Sequence, residues 1–373
     1  MKWLFWLSAG MIFYTYAGYA GWLWLRRRWR ERPVKRVPIT PPLSVVMVVR
    51  NEELALSDKL QNLLQLDYPA ERLQIVVVSD GSTDRTEEIL RAYAQDPRMT
   101  AVLNQLSRGK ACGLNDGIES AQGEIILFTD ARQRLEKQSA RLLVENFADP
   151  EVGCASGELM LGSAEAGEGT KGLGLYWRVE KRIREWESAS NSVVGATGAI
   201  YAVRRNLLVP VPTGTLLDDV YIPMSVVRQG SRVIFDSRAR AWDSPDLGDA
   251  REFSRKVRTL NGNYQLLQIA PWLLSRSNPL RFEFISHKLL RLVAPFALVT
   301  ALVSAAFLRE PIYRIALILQ LTFYALGLLG MARLKSGLLA RAADAAFTFV
   351  LLNTAAVVAF GNFVTGRKVA WSR

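Results

Sequence analysis

The sequence predicts an α/β domain, a sheet covered by helices, set between membrane-spanning segments. Three observations predict it. Short apolar runs alternate with amphipathic stretches from Leu43 to Thr129. Two acidic clusters, Val76–Asp84 and Phe128–Arg132, directly follow or end such runs. Uncharged segments long enough to cross a bilayer flank the mixed middle, at residues 3–25 and again after Leu289.

Residues 1–25 are read as an N-terminal transmembrane helix. An anchor is expected over a signal peptide, because no small-residue cleavage site follows and the basic cluster 26–36 lies on its C-terminal side. The positive-inside rule then places the amino terminus outside and the middle domain in the cytosol. Residues 26–42 form a basic, proline-marked linker.

The domain is bounded at 43–250. Leu43–Val49 reads as a buried strand, Glu53–Leu66 as a helix and Leu73–Ser79 as a strand. Thr83 or Asp84 can cap a helix running to Ala94. A strand at Thr100–Asn104, a helix at Lys110–Ser120 and a strand at Glu124–Thr129 complete a βαβαβαβ order, which implies a parallel sheet. Residues 162–174, rich in glycine, read as a mobile loop, and Leu175–Ala189 as a helix exposing several charges. Val193–Val203 and Arg232–Trp242 read as strands on either side of an Asp218–Asp219 loop.

Residues 251–289 are expected to be amphipathic helices at the interface. In Arg251–Gln268, the residues Phe253, Val257, Leu260, Tyr264 and Leu267 share one face. Arg251, Arg255, Arg258, Gly262 and Gln265 form a second, polar stripe. Phe282–Lys288 reads as a segment on the membrane surface. Spans are expected near Leu290–Leu308, Ile312–Met331 and Ala343–Val364, within residues 290–366, followed by a basic tail at 367–373. One anchor plus three spans would put that tail outside, against its charge, a conflict that a re-entrant or interfacial segment would relieve.

The formal net charge is +12, much of it beside apolar spans, so membrane lipids are the expected anionic partner. Nucleic acid is not, since no recognition motif with interleaved aromatics is present. Cys112 and Cys154 have neither metal spacing nor a disulfide framework, and the single histidine, His287, excludes a multi-histidine metal site.

Carboxylates at the ends of parallel strands suit a site for a ribose, a metal ion or a diphosphate. Six stretches carry a more specific signal by their order: VVSDGSTD (77–84), RGKACGLN (108–115), FTDARQ (128–133), GATGAIYAVRR (195–205), LLDDV (216–220) and RKVRT (255–259). In this order, in front of transmembrane spans, the chain resembles the membrane-bound, inverting family-2 glycosyltransferases. That family includes synthases of hyaluronan, cellulose and poly-N-acetylglucosamine. The resemblance implies a GT-A nucleotide-sugar-binding domain with a mixed sheet, a UDP-sugar donor and a divalent cation, Mg2+ or Mn2+.

It also implies residue roles. Asp80 falls where the family contacts the uridine, while Ser82, Thr83 and Asp84 also suit a plain capping turn. Lys110, opening a helix, suits a nucleotide phosphate. Asp130 is placed in the nucleotide-sugar site and as the metal ligand. Arg132 stands where the family's second metal-motif carboxylate is usual. It is read either as offsetting diphosphate charge or as part of a surface salt bridge. Asp219 is the expected base, with Asp218 its supporting neighbour. Arg255 and Arg258, three apart on one helix face, are expected to grip the diphosphate, with a solvated basic face as the plain alternative. Thr259 replaces the family's usual tryptophan. Gly195–Gly198 would let backbone approach the acceptor, or would be a bulge.

The expected activity is transfer to a growing, β-linked polysaccharide, with an accessory export subunit as a partner. Single transfer to a lipid or lipid-linked acceptor is the alternative. A reading of another class is a membrane scaffold with a degenerate transferase domain, prompted by Asp130-Ala131-Arg132.

Overall fold

The computed structural model describes residues 1–162, 174–243, 249–332 and 337–367, with backbone alone at 174–176 and 249–252. The loop expected at 162–174 and the basic tail therefore lie almost wholly outside the described residues, as does the side chain of Arg251.

An N-terminal helix runs as α1 (Lys2–Phe13) and α2 (Tyr19–Trp29), joined by a π turn. Then follow β1 (Leu43–Val49), α3 (Glu53–Leu64), β2 (Leu73–Asp80), α4 (Thr86–Tyr93), β3 (Met99–Asn104), α5 (Lys110–Ser120) and β4 (Ile125–Phe128). After a short β5 (Arg134–Leu135) and α6 (Ser139–Val144) come β6 (Val152–Leu161), α7 (Gly174–Ser190), β7 (Tyr201–Arg204), α8 (Asp218–Arg228), β8 (Arg232–Asp243) and α9 (Asp249–Ile269). The chain continues as α10 (Arg281–Phe284), α11 (Leu290–Phe307), α12 (Pro311–Gly330) and α13 (Leu338–Val364).

The strands form one sheet in the order β3-β2-β1-β4-β7-β6-β8-β5. The first four are parallel. β7 runs antiparallel to β4 and β6, and β5 antiparallel to β8, so the sheet is mixed and not all parallel. Strand side chains alternate faces, which splits the core in two. Val45, Met47, Ile75 and Val77 pack under Leu56, Leu60 and Leu63 of α3. Val46, Val48, Val76 and Val78 face α5 and α8 through Ala111, Leu114, Ile222 and Val226.

Glycines set the seat of α5. A Cβ on Gly113 would lie 2.7 Å from Val48 Cγ1, and one on Gly117 2.6 Å from Val46 Cγ1. The helix thus rides directly on the sheet, and its first residue, Lys110, sits at the strand ends.

Two segments differ from the sequence expectation. Asp218 and Asp219 open α8 and do not lie in a loop between strands. Residues 193–200 are not strand: Gly195 adopts φ +102°, and the Ala196 N–H donates to the Asp219 carbonyl at 2.6 Å. That backbone bond draws the segment off the sheet and around the start of α8.

Among the described residues, three helical segments are long and apolar enough to cross a membrane: Arg281–Phe307, Pro311–Gly330 and Leu338–Val364. The N-terminal helix is not among them. Its tryptophans and tyrosines suit an interface more than a hydrocarbon core. It packs along α11 and touches the start of α12, with Phe5 against Ala301, Ala305 and Tyr313, and Lys2 paired with Glu310. Phe282–Lys288 is not a surface segment. Glu283, Phe284, Ser286 and His287 are buried, because Glu283 pairs with Arg26 and His287 with Glu180 and Glu187.

Helix α9 lies between the domain and the spans. Tyr264 stacks on Phe363 of α13 at 5.0 Å. On another face, Gln265 accepts from the Leu216 N–H at 2.9 Å and donates to the Gly214 carbonyl at 2.8 Å. Gly262 lets α9 approach that loop: a Cβ there would lie 2.5 Å from Leu217 Cγ. Gly262→Val should therefore destabilise the fold by about 1–3 kcal/mol. Thermal unfolding in detergent reads this directly, and an unchanged midpoint would mean that Leu217 has room to retreat.

Candidate active site

The carboxylates converge at the C-terminal ends of β2 and β4, where open α/β sheets bind ligands. Asp80, closing β2, is fully buried. It accepts from the Ser107 hydroxyl at 2.8 Å and from the N–H groups of Arg108 and Gly109 at 2.8 and 2.9 Å. Its carboxylate therefore builds the loop that opens α5, with Gly109 at φ +90° just before Lys110. Asp84 accepts from the N–H groups of Thr86 and Glu53, tying together the starts of α4 and α3.

Lys110 is the centre of the cluster. Its Nζ lies 3.0 Å from Asp130 Oδ1 and 3.3 Å from Asp218 Oδ2. Burial works against its charge, but Asp130 and Asp218 outweigh that and hold its pKa above the usual lysine value. Asp218 is buried, whereas Asp130 is 41% exposed and faces the open side. Asp219 lies across Gly198 from Asp130. A Cβ on Gly198 would sit 3.4 Å from Asp219 Oδ2 and 3.6 Å from Asp130 Oδ2, so only glycine leaves this cradle open. Burial, then the charge of Asp218, pushes the Asp219 carboxyl up to about 6. Below them Tyr201 stacks on Phe128 at 4.8 Å, and its buried hydroxyl has no hydrogen-bond partner among the described residues.

The other expected residues lie around this cluster. Arg132 turns away to Glu52, with Nη2 3.0 Å from Oε1, and is half exposed, which is the salt-bridge arrangement. Arg255 reaches Asp243 at 3.3 Å, and Gln133 donates to the same carboxylate at 3.2 Å. Arg258, one turn further along α9, is half-buried.

Several charged residues escaped the sequence reading. Lys59 is buried behind the β4 end, donating to Thr129 Oγ1 at 2.8 Å and the Gln133 carbonyl at 2.6 Å. Burial lowers its pKa to about 7. On α7, Glu180, Arg184 and Glu187 follow helical spacing and turn inward, not to solvent. Glu180 and Glu187 each bond one ring nitrogen of His287 at 2.8 Å. Glu180 also pairs with Arg291, and Glu187 accepts from the Tyr19 hydroxyl.

Two cavities open among the described residues. The larger, about 660 Å³, lies beside Glu124 and Arg204 at the opposite end of β4 and touches none of these carboxylates. The smaller, about 150 Å³, is lined by Gly195, Ala196, Arg184, Lys256 and Lys288, beside the start of the first span.

Among the described residues no group of three His, Cys, Asp or Glu is set to hold a metal ion. Asp130 and Asp219 flanking the bare face of Gly198 offer a two-carboxylate cradle. This fits a hard divalent cation that takes its remaining ligands from diphosphate oxygens and water.

The model of the family described as Glycosyl transferase family 2 matches residues 44–209. A poly-beta-1,6-N-acetyl-D-glucosamine synthase of Staphylococcus aureus (strain COL) is 22% identical over 268 residues, 71% of this chain and 63% of the relative. One from Staphylococcus epidermidis is 22% identical over 249 residues, 64% of this chain and 60% of the relative. The chain thus spans less than two thirds of the length of these relatives. Among solved structures, the mannosyltransferase PcManGT from Pyrobaculum calidifontis, in complex with GDP-Man and Mn2+, is similar with a TM-score of 0.75 and 23% identity. The likeness covers 98% of this chain and 100% of that one. The fold is GT-A with flanking apolar helices.

The raised Asp219 pKa carries a stability consequence. Between the ordinary carboxylate value of 3.8 and about 6, the folded chain binds the extra proton, so stability falls as pH rises through that window. Asp219→Asn removes this slope. It should stabilise the protein at pH 7 by about 1–3 kcal/mol more than at pH 4. Unfolding midpoints of both proteins at the two pH values test this, and equal differences would place Asp219 at an ordinary pKa.

Proposed function

We propose that this chain, whose residues 44–209 match the model described as Glycosyl transferase family 2, transfers a sugar from a UDP-sugar to an acceptor at the cytosolic face of the membrane, inverting the anomeric carbon to a β-linkage. The observation that carries this reading is the Asp130–Lys110–Asp218 bridge with Asp219 beside it. Asp219 takes the proton of the acceptor hydroxyl while that oxygen bonds to the anomeric carbon. The bond from that carbon to the diphosphate breaks on the opposite face, and the nucleoside diphosphate leaves with the electron pair. A carboxyl near pKa 6 suits this task at neutral pH.

Asp218 fixes Lys110 and raises the basicity of Asp219. Lys110, Arg255 and Arg258 supply positive charge to the departing diphosphate. Asp80 contributes by shaping the loop under Lys110, and Arg132 by holding Glu52 at the rim. Asp130 would hold Mg2+ or Mn2+, whose chemistry is Lewis-acid stabilisation of the diphosphate.

The activity named for the staphylococcal relatives supports a growing polysaccharide as acceptor. A second reading, single transfer to a lipid-linked acceptor, is favoured by the charged cavity facing the first span. GDP-Man, bound in the archaeal structure, is the first donor to compare with UDP-sugars.

Release of nucleoside diphosphate by the purified protein in lipid, across UDP- and GDP-sugars, tests the donor: one UDP-sugar should stand out. Asp219→Asn should lower turnover by about 10²–10⁴-fold with UDP affinity kept. Near-wild-type turnover would remove Asp219 from the role of base. The wild-type kcat/KM should rise with pH through about 6, as Asp219 loses its proton. EDTA should suppress transfer, and activity unchanged in EDTA would take the cation out of the mechanism.

A further inference from the structure

The small cavity of about 150 Å³ lies between the 193–196 segment and the start of the first span. One wall is the Gly195-Ala196 backbone, which bonds the Asp219 carbonyl. The opposite wall comes from His287 and Lys288 at the start of the first span. Its side chains are strongly charged, and the charges are unevenly matched.

Both glutamates of the wall are already committed. Glu180 bonds His287 and Arg291, and Glu187 bonds His287 and Tyr19. Two cations are left over. Arg184 donates to Thr197 Oγ1 at 2.5 Å and Ser156 Oγ at 2.8 Å, both neutral oxygens, and lies 4.6 Å over the Phe235 ring. Neither Arg184 nor Lys288 forms an ion pair among the described residues. Lys256, packed over the Trp177 ring at 5.0 Å, adds a third positive charge to the wall. Glu180 and Glu187 act on Arg184 across the cavity, but both are already bonded to His287, and buried cations that exceed their counter-charge are unfavourable unless an anion joins them. A phosphate group meets that need, because it offers several acceptor oxygens to a guanidinium and an ammonium at once.

We propose that this cavity binds a phosphate of the acceptor, held by Arg184 and Lys288, and that the acceptor is therefore a membrane lipid carrying that phosphate. One wall holds Ala196, whose N–H bonds the Asp219 carbonyl, and another holds His287 and Lys288 of the first span. A lipid tail would follow the span, and the part of the acceptor beyond the phosphate would meet the sugar donor. The inference rests on the transferase reading and narrows its acceptor to the lipid-linked class.

The test compares octyl phosphate with octanol, which share a tail and differ by the phosphate. Calorimetric titration of the full chain in neutral detergent should show octyl phosphate binding at least tenfold more tightly. Arg184→Gln and Lys288→Gln should each weaken octyl phosphate about tenfold and leave UDP affinity unchanged. If Arg184→Gln does not fold, Lys288→Gln, at the half-buried wall, decides alone. Equal affinity for the two probes, or unchanged binding in Lys288→Gln, would overturn the proposal. Inorganic phosphate that competes as well as octyl phosphate would assign the site to a free anion and overturn the lipid reading. Failure of the wild type to bind any nucleoside diphosphate would count against the transferase reading instead, a separate outcome.

Discussion

The site depends on one ammonium group held between two carboxylates from distant parts of the chain. Lys110 joins Asp130, after β4, to Asp218, at the start of α8. Without it, three carboxylates would crowd one another at partly buried positions, and like charges at such distances destabilise. Much of the nearby architecture serves this placement. Gly113 and Gly117 lower α5 onto the sheet, and Asp80 shapes the turn that precedes it. Gly262 and Gln265 of α9 hold the loop that leads into Asp218 at the start of α8. Removing one partner of such an ion pair leaves an uncompensated charge, which is more damaging than never having had the pair.

A second set of charges fixes the domain against the membrane helices. Tyr19 and Arg26 of the N-terminal helix, Glu180 and Glu187 of α7, and Glu283, His287 and Arg291 at the first span form a connected network. Its members come from three separate segments. Because its members are buried or half-buried and its bonds directional, the network specifies one orientation of the carboxylate end relative to the spans. An apolar contact would permit more sliding.

The parallel half of the sheet was legible in the sequence because its strands are continuous apolar runs and its helices have period-3.6 patterns. The start of α5 at Lys110 matches to the residue. The antiparallel half was harder. Residues 193–200 are as apolar as a strand, but Gly195 turns the chain and gives its neighbour's N–H to Asp219. No local pattern encodes that tertiary bond. The acidic clusters stood out by their position after strands, yet their mutual pairing through Lys110 is a long-range fact. Arg132 looked like a replacement for a metal-binding carboxylate, while its partner Glu52 lies far away in sequence. The inward charges of α7 were read as solvent-exposed, because a charged helix face normally is. Their partners, Tyr19 and His287, sit in apolar surroundings where sequence pattern says little about pairing.

The most direct test is a structure of the chain with UDP and Mn2+, using the anomalous signal of manganese to locate the ion. The account predicts manganese against Asp130 above Gly198, with the diphosphate reaching Lys110. A diphosphate bound away from Lys110, or manganese held by residues outside the Asp130–Asp219 cradle, would contradict it.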